Sequence, residues 1–204
     1  MSREGGAAPS LKAFASASIV ACAVAGFPGA APSAQEAAEA PAAQDGAAAF
    51  DFEIGRWRTV VKRLRKPLSG SSDWVEYEGT SDVHAFMGGR ANLVALSISG
   101  PAGRIEGVAL RLYRPDTGEW SIHYASAADG LLTPELVGRF EGGRGEFFGE
   151  DTLGGRPIRV RFVITQPSPD TARFEQAFSG DGGKTWEVNW IAEDTRLDPA
   201  DERP

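Results

Sequence analysis

Only one cysteine, Cys22, stands in the 204 residues, so no disulfide within the chain can staple the fold and the core must hold it unaided. Histidine is almost as scarce. His84 and His123 are the only two, and no His-x-x-x-His or mixed Cys/His spacing is present to assemble a metal site. No stretch reaches the ~20 consecutive apolar residues that a membrane-spanning helix needs, and no segment carries a sustained helical periodicity. Cationic excess is also missing: the formal net charge of −7 argues against nucleic acid and anionic membrane surfaces as partners. Neither a Ser-His-acid set nor a phosphate-binding loop can be traced.

What the chain does hold is 42% hydrophobic residues, 25 glycines and 13 prolines. The length allows one well-buried core and is too short for two ordinary domains plus a leader. Arg3 and Lys12 precede an uncharged, alanine-rich run over residues 13–27, followed by small residues through Ala34. This predicts a secretory leader over residues 1–34 and an exported, periplasmic or secreted protein. Ile19-Val20-Ala21-Cys22 also resembles a lipobox, which would make Cys22 the acylation site of a lipoprotein. Continuation of the small-residue tract beyond Cys22 favours the conventional leader. Residues 35–49 lack large apolar side chains and predict a flexible Ala/Pro-rich tether. The folded domain is expected over residues 50–197, with a short tail over 198–204.

Within that domain, short extended runs alternate with turn residues. Ile158, Val160, Phe162 and Ile164 fall on one face of a strand, with Arg159 and Arg161 on the other. Pro115-Asp116-Thr117-Gly118 and Gly142-Gly143-Arg144 carry hairpin-turn chemistry, and Gly79 suggests a bend or bulge. About ten consecutive strands follow one another: 56–64, 74–86, 92–99, 104–114, 119–127, 135–141, 145–152, 158–164, 171–179 and 185–195. Closing such a meander removes its unpaired edges. The expected fold is therefore all-β, a single closed or nearly closed antiparallel up-and-down barrel, wide enough to enclose a cavity.

Two stretches carry a resemblance. Phe50-Asp51-Phe52-Glu53-Ile54-Gly55-Arg56-Trp57, with its Gly-x-Trp before the first strand, and Ser179-Gly180-Asp181-Gly182-Gly183-Lys184-Thr185-Trp186-Glu187-Val188-Asn189-Trp190 are similar to an uncharacterised family of bacterial calycin-like domains. The similarity spans about Phe50 to Arg196. It implies a lipocalin-like or nitrobindin-like barrel with no established reaction. As in lipocalins, Trp57 would pack against Arg196 at the barrel base, with Gly55 permitting the bend between them. The nitrobindin side of the resemblance raises haem ligation through a histidine. Alternation, however, puts Trp120, Ile122 and Tyr124 inward and His123 outward.

Ser179-x-Asp181-x-Gly183-x-Thr185-Trp186 also matches the Asp-box of sialidase propellers, but one copy without a repeat predicts a structural hairpin. Glu175 and Glu187, on consecutive strands, could suggest a carboxylate pair. The faces of Phe174, Gln176 and Phe178 and of Trp186, Val188, Trp190 and Ala192 place both glutamates outside. Leu110 and Leu112 are expected inward. The ligand-binding expectation rests on Trp120, Tyr124, Phe174, Gln176, Trp186 and Trp190, with apolar walls giving affinity and Tyr124 and Gln176 giving orientation. The expected partner is a small apolar or amphipathic molecule. An enzyme that isomerises or cyclises such a ligand, and a rim that binds a protein, are the alternatives.

Overall fold

The computed structural model describes residues 46–198. The expected leader, Cys22, residues 35–45 of the tether and residues 199–204 of the tail lie outside the described residues. The remainder of the tether differs from expectation: Gly46 opens a 3-10 helix, Gly46–Glu53, whose Phe50 is buried.

Ten strands follow: β1 (Gly55–Leu64), β2 (Trp74–Phe86), β3 (Ala91–Gly100), β4 (Gly103–Arg114), β5 (Glu119–Ser126), β6 (Leu136–Glu141), β7 (Arg144–Leu153), β8 (Arg156–Ser168), β9 (Thr171–Ser179) and β10 (Glu187–Arg196). Each pairs antiparallel with its neighbour in sequence, and β1 pairs with β10 to close an up-and-down barrel. This is the all-β up-and-down barrel expected from the meander, and the calycin-like architecture that the resemblance implied. Tight hairpins turn on paired glycines of positive φ, Gly142-Gly143 and Gly154-Gly155, which let two-residue loops follow the right-handed strand twist.

Gly79 does not interrupt the sheet. Its pairings with Thr59 and Ile98 lie in unbroken register, but a Cβ there would fall 2.1 Å from the Ser97 carbonyl oxygen. The glycine thus permits a close strand approach rather than a bulge. Register shifts occur elsewhere, between Thr165 and Ser168 of β8 against β9 and between Val188 and Trp190 of β10, where Asn189 is the additional residue.

One end of the barrel is closed. Phe50 descends from the 3-10 helix into a cluster with Trp120, Ile122, Leu136 and Phe147. Its ring meets Trp120 edge-on at 4.9 Å and Phe140 at 5.0 Å, geometries that aromatic quadrupoles favour. The Trp120 indole N–H, otherwise orphaned in that apolar cluster, donates to the Gly46 carbonyl at 2.9 Å. The outer surface is wet: Arg56, Arg58 and Lys62 of β1 face Asp82, Glu78 and Glu76 of β2 across the pair.

Candidate functional site

Above the aromatic plug the barrel encloses a cavity of about 470 Å³. Alternation on each strand turns every second side chain toward it. Val61, Leu96, Ile105, Phe162, Phe174 and Trp190 supply apolar wall. Phe162 and Phe174 meet edge to face at 4.8 Å.

The six expected ligand-binding residues separate in the structure. Tyr124, Phe174, Gln176 and Trp190 line the cavity together. Trp120 points inward but lies beneath the cavity, 1% exposed, within the plug. Trp186 is on the outside: it precedes β10, and the Arg161 guanidinium covers its ring at 4.9 Å. The Asn189 bulge explains the difference, because it breaks the alternation that would otherwise carry Trp190's orientation back to Val188 and Trp186. Val188 accordingly pairs with Ala177, away from the cavity face of Gln176, while Glu187 pairs with Phe178 and accepts a hydrogen bond from Leu68 N–H.

The polar members of the wall are held in place. Gln176 donates from Nε2 to Asn189 Oδ1 at 2.8 Å, so the bulge residue, 2% exposed, orients the amide. Tyr124 lies across Gly107, where a Cβ would come within 2.2 Å of the phenolic oxygen. Burial pushes the Tyr124 hydroxyl above its ordinary pKa, against the opposing charge of Arg63. Over the mouth, the segment between β5 and β6 is tied down where Thr133 N–H donates to the Tyr124 carbonyl and Tyr124 N–H donates to Thr133 Oγ1, at 2.8 and 3.0 Å. Asp129, Thr133 and Pro134 of that segment contribute to the lining.

Beyond the expected set, the floor is polar. Glu53, Thr59, Ser81, Arg111 and Asp194 all reach the cavity. Arg111 donates from Nη1 to Glu53 Oε2, with side-chain exposures of 9% and 11%, and its guanidinium sits 4.2 Å from the Phe50 ring centroid. Thr59 Oγ1 donates to Asp194 Oδ1 at 2.5 Å and contacts Ser81 Oγ at 2.7 Å. Burial, with the Glu53 charge adding to it, pushes the Asp194 carboxyl up to about 6, against the hydrogen bond from Thr59. Arg111 was hidden in the sequence by Leu110 and Leu112, which are expected inward but lie on the opposite face, Leu110 paired with His123. An arginine is admitted to the interior because Glu53, delivered by the 3-10 helix, neutralises it. Asp194 had a signal: the alternation Trp190-x-Ala192-x-Asp194 continues the inward face.

Neither histidine faces the cavity. His123 stands on the outer face, with Nδ1 3.4 Å from the Thr133 carbonyl and Nε2 3.9 Å from Glu135. His84, exposed, pairs with Leu93. The described residues therefore offer haem no inward histidine ligand.

At the seam, Arg196 lies over the Trp57 ring, its guanidinium carbon 4.1 Å from the centroid, and donates to the Ile54 and Phe52 carbonyls at 2.9 and 2.6 Å. Gly55, at φ 123°, turns between them, and a Cβ there would crowd Arg196 Nη1 at 3.0 Å.

No family model matches the sequence, and no curated protein matches it. Among solved structures the chain is similar to the S-type phycobiliprotein lyase from Guillardia theta, at 12% identity and a TM-score of 0.50, over 73% of this chain and 90% of that one. It also aligns, at a TM-score of 0.41 each, with a de novo designed fluorescence-activating β-barrel (17% identity, 73% of this chain and 97% of that one) and with EF1p2_mFAP2b bound to DFHBI (12% identity, 74% and 98%). What the lyase shares with this chain is the fold, in keeping with a calycin-like, ten-stranded antiparallel barrel.

Proposed function

We propose that the barrel is a container for a small, largely apolar molecule, held against Phe174 and Trp190 and oriented by Tyr124 and Gln176. The observation that carries this reading is the cavity of about 470 Å³ that opens at the barrel mouth, more apolar than polar in its lining and with Tyr124 and Gln176 held in its wall, a composition in keeping with a small-molecule site. Trp190 stands in the wall and should report occupancy by fluorescence. Titration with apolar probes should quench emission saturably, and Trp190→Ala together with Gln176→Leu should alter the binding curve. A saturable curve untouched by both substitutions would move the site to the loops at the open end, around Gly100 and Gly130. Native mass spectrometry of protein from its own source would then identify the occupant.

Export belongs to the same reading and is supported by the sequence of residues 1–34. A full-length chain expressed in a bacterial host should accumulate in the periplasm without that segment. Cys22→Ser separates the two export routes, because only a lipoprotein would lose acylation with it.

One observation favours a second reading, an enzyme that isomerises or cyclises its ligand. Asp194, raised to about 6 at the cavity floor, is tuned to accept and release a proton near neutral pH. A mixture of two interconvertible species bound to the purified protein would support it.

A further inference from the structure

The cavity floor is not electrically balanced. Three charged side chains meet there: Glu53 from the 3-10 helix, Arg111 from β4 and Asp194 from β10. Two of them cancel, because Arg111 Nη1 is committed to Glu53 Oε2. The hydrogen-bond partners of Asp194 among the described residues are hydroxyls: Thr59 donates to it, and Ser81, in contact with Thr59, lies within reach as well. An ionised Asp194 leaves the closed end of the barrel with one uncompensated negative charge, a costly condition in an apolar interior.

Hydrogen directions sharpen the point. A threonine hydroxyl has a single hydrogen. With Thr59 giving that hydrogen to Asp194, the Ser81 hydrogen is given either to Thr59, 2.7 Å away, or to Asp194 itself. Both hydroxyls have then spent their hydrogens. Around Asp194 the floor presents a carboxylate and oxygen lone pairs, which match a group rich in donors and poor in acceptors.

Resting on the container reading above, we propose that the floor binds the protonated amine head of an amphiphilic ligand, with Asp194 as its counter-ion and the apolar tail directed along Val61, Leu96, Phe174 and Trp190 toward the mouth. An ammonium group offers three donors and no acceptor, and its charge completes the balance. One atom speaks for the opposite head: Arg111 Nε lacks an acceptor among the described residues. A ligand carboxylate placed there would, however, confront both Glu53 and Asp194.

Burial and the nearby Glu53 hold the carboxyl of Asp194 at about 6. The groups facing it are Glu53 and Arg111 by charge, Thr59 from β1 and Ser81 from β2 by hydrogen bonding, and Ala172 from β9, its register partner. An ammonium head stabilises the ionised form, so its binding must weaken as pH falls through that value, while binding of an uncharged head does not share the dependence.

Three probes of one chain length distinguish the heads: decylamine, decanol and decanoate, titrated calorimetrically into the barrel at about pH 7.5 and about pH 5. Decylamine should bind about tenfold or more tighter than decanol at the higher pH, the scale of a hydrogen bond to a charged group. The preference should shrink at the lower pH. Asp194→Asn should remove it at both. Equal binding of decylamine and decanol, tightest binding of decanoate, or a preference that survives Asp194→Asn would each overturn the assignment. The wild-type pH comparison decides the matter independently of how well the variant folds. If none of the three probes binds saturably, the container reading itself falls, and the amine head with it.

Discussion

Arg196 and Trp57 face each other across the seam between the last strand and the first, and the same guanidinium that covers the indole also caps the carbonyls of Phe52 and Ile54. One side chain thus fastens the barrel closure to the 3-10 helix. The Trp57 N–H completes the clasp by donating to the Glu53 carbonyl at 2.7 Å. With Trp57 only 1% exposed, Trp57→Ala should cost ~3–5 kcal/mol through the cavity it leaves. Arg196→Ala should cost less, since the arginine is part-exposed. Urea denaturation midpoints measure both, and an unchanged midpoint for Trp57→Ala would remove this clasp from the account of closure.

Asp194 carries a stability cost with a definite pH signature. Its folded pKa of about 6 lies above its ordinary value of 3.8, so between those values the folded state binds more protons than the unfolded one. Stability from this group is therefore greatest below about pH 4 and declines as pH rises to about 6. Asp194→Asn should raise stability at neutral pH by on the order of 3 kcal/mol and change it little at about pH 4. Chemical denaturation at the two pH values checks this; an equal effect at both would mean that the carboxyl is not strained by burial.

Gln176, in the cavity wall, donates to the buried Asn189 behind it. Gln176→Leu keeps the volume but leaves Asn189 Oδ1 without its donor, at a cost of ~1–3 kcal/mol if nothing replaces it. The expected result is a shift of that size in the preference between an apolar probe and one bearing a hydrogen-bond donor. Circular dichroism should remain that of a barrel. A preference that does not move would show that Gln176 serves only to position the bulge.

The β9–β10 loop is organised by Asp181, which accepts from the backbone N–H of Thr185, the hydroxyls of Thr185 and Ser179, and the N–H of Lys184. These bonds, the Thr185 N–H first, hold its carboxyl far below the ordinary range. A depressed acid contributes stability above its unfolded pKa and loses it as pH falls through the folded value. Asp181→Ala should raise amide hydrogen exchange at Gly183 to Thr185 and flatten the acid side of the stability profile. Unchanged exchange would assign the order of this loop to its glycines and to Ser179 Oγ, which accepts from the Gly183 N–H.

Period-two patterning was enough to reveal the barrel, because nearly every strand alternates and the chain simply visits neighbouring strands in turn. It failed where geometry departs from period two. The Asn189 bulge reversed Trp186 and Val188, a shift that no residue in Thr185-Trp186-Glu187-Val188-Asn189 announces. Arg111 failed differently: hydrophobicity favoured Leu110 and Leu112, and only the long-range arrival of Glu53 makes an inward arginine tolerable. Asp194 could have been read by extending the face of Trp190 and Ala192, but an expectation of apolar interiors argued against it.

The 3-10 helix that plugs the barrel also fixes its polarity as an object. The chain enters the described fold at Gly46 beside the plug and leaves it at Arg196 beside Trp57, so both ends emerge at the sealed base. Within the described residues the opening is bordered instead by loops between strands, among them the β5–β6 segment with Asp129 and Thr133, so the ends of the described fold and its lip stand at opposite poles of the barrel.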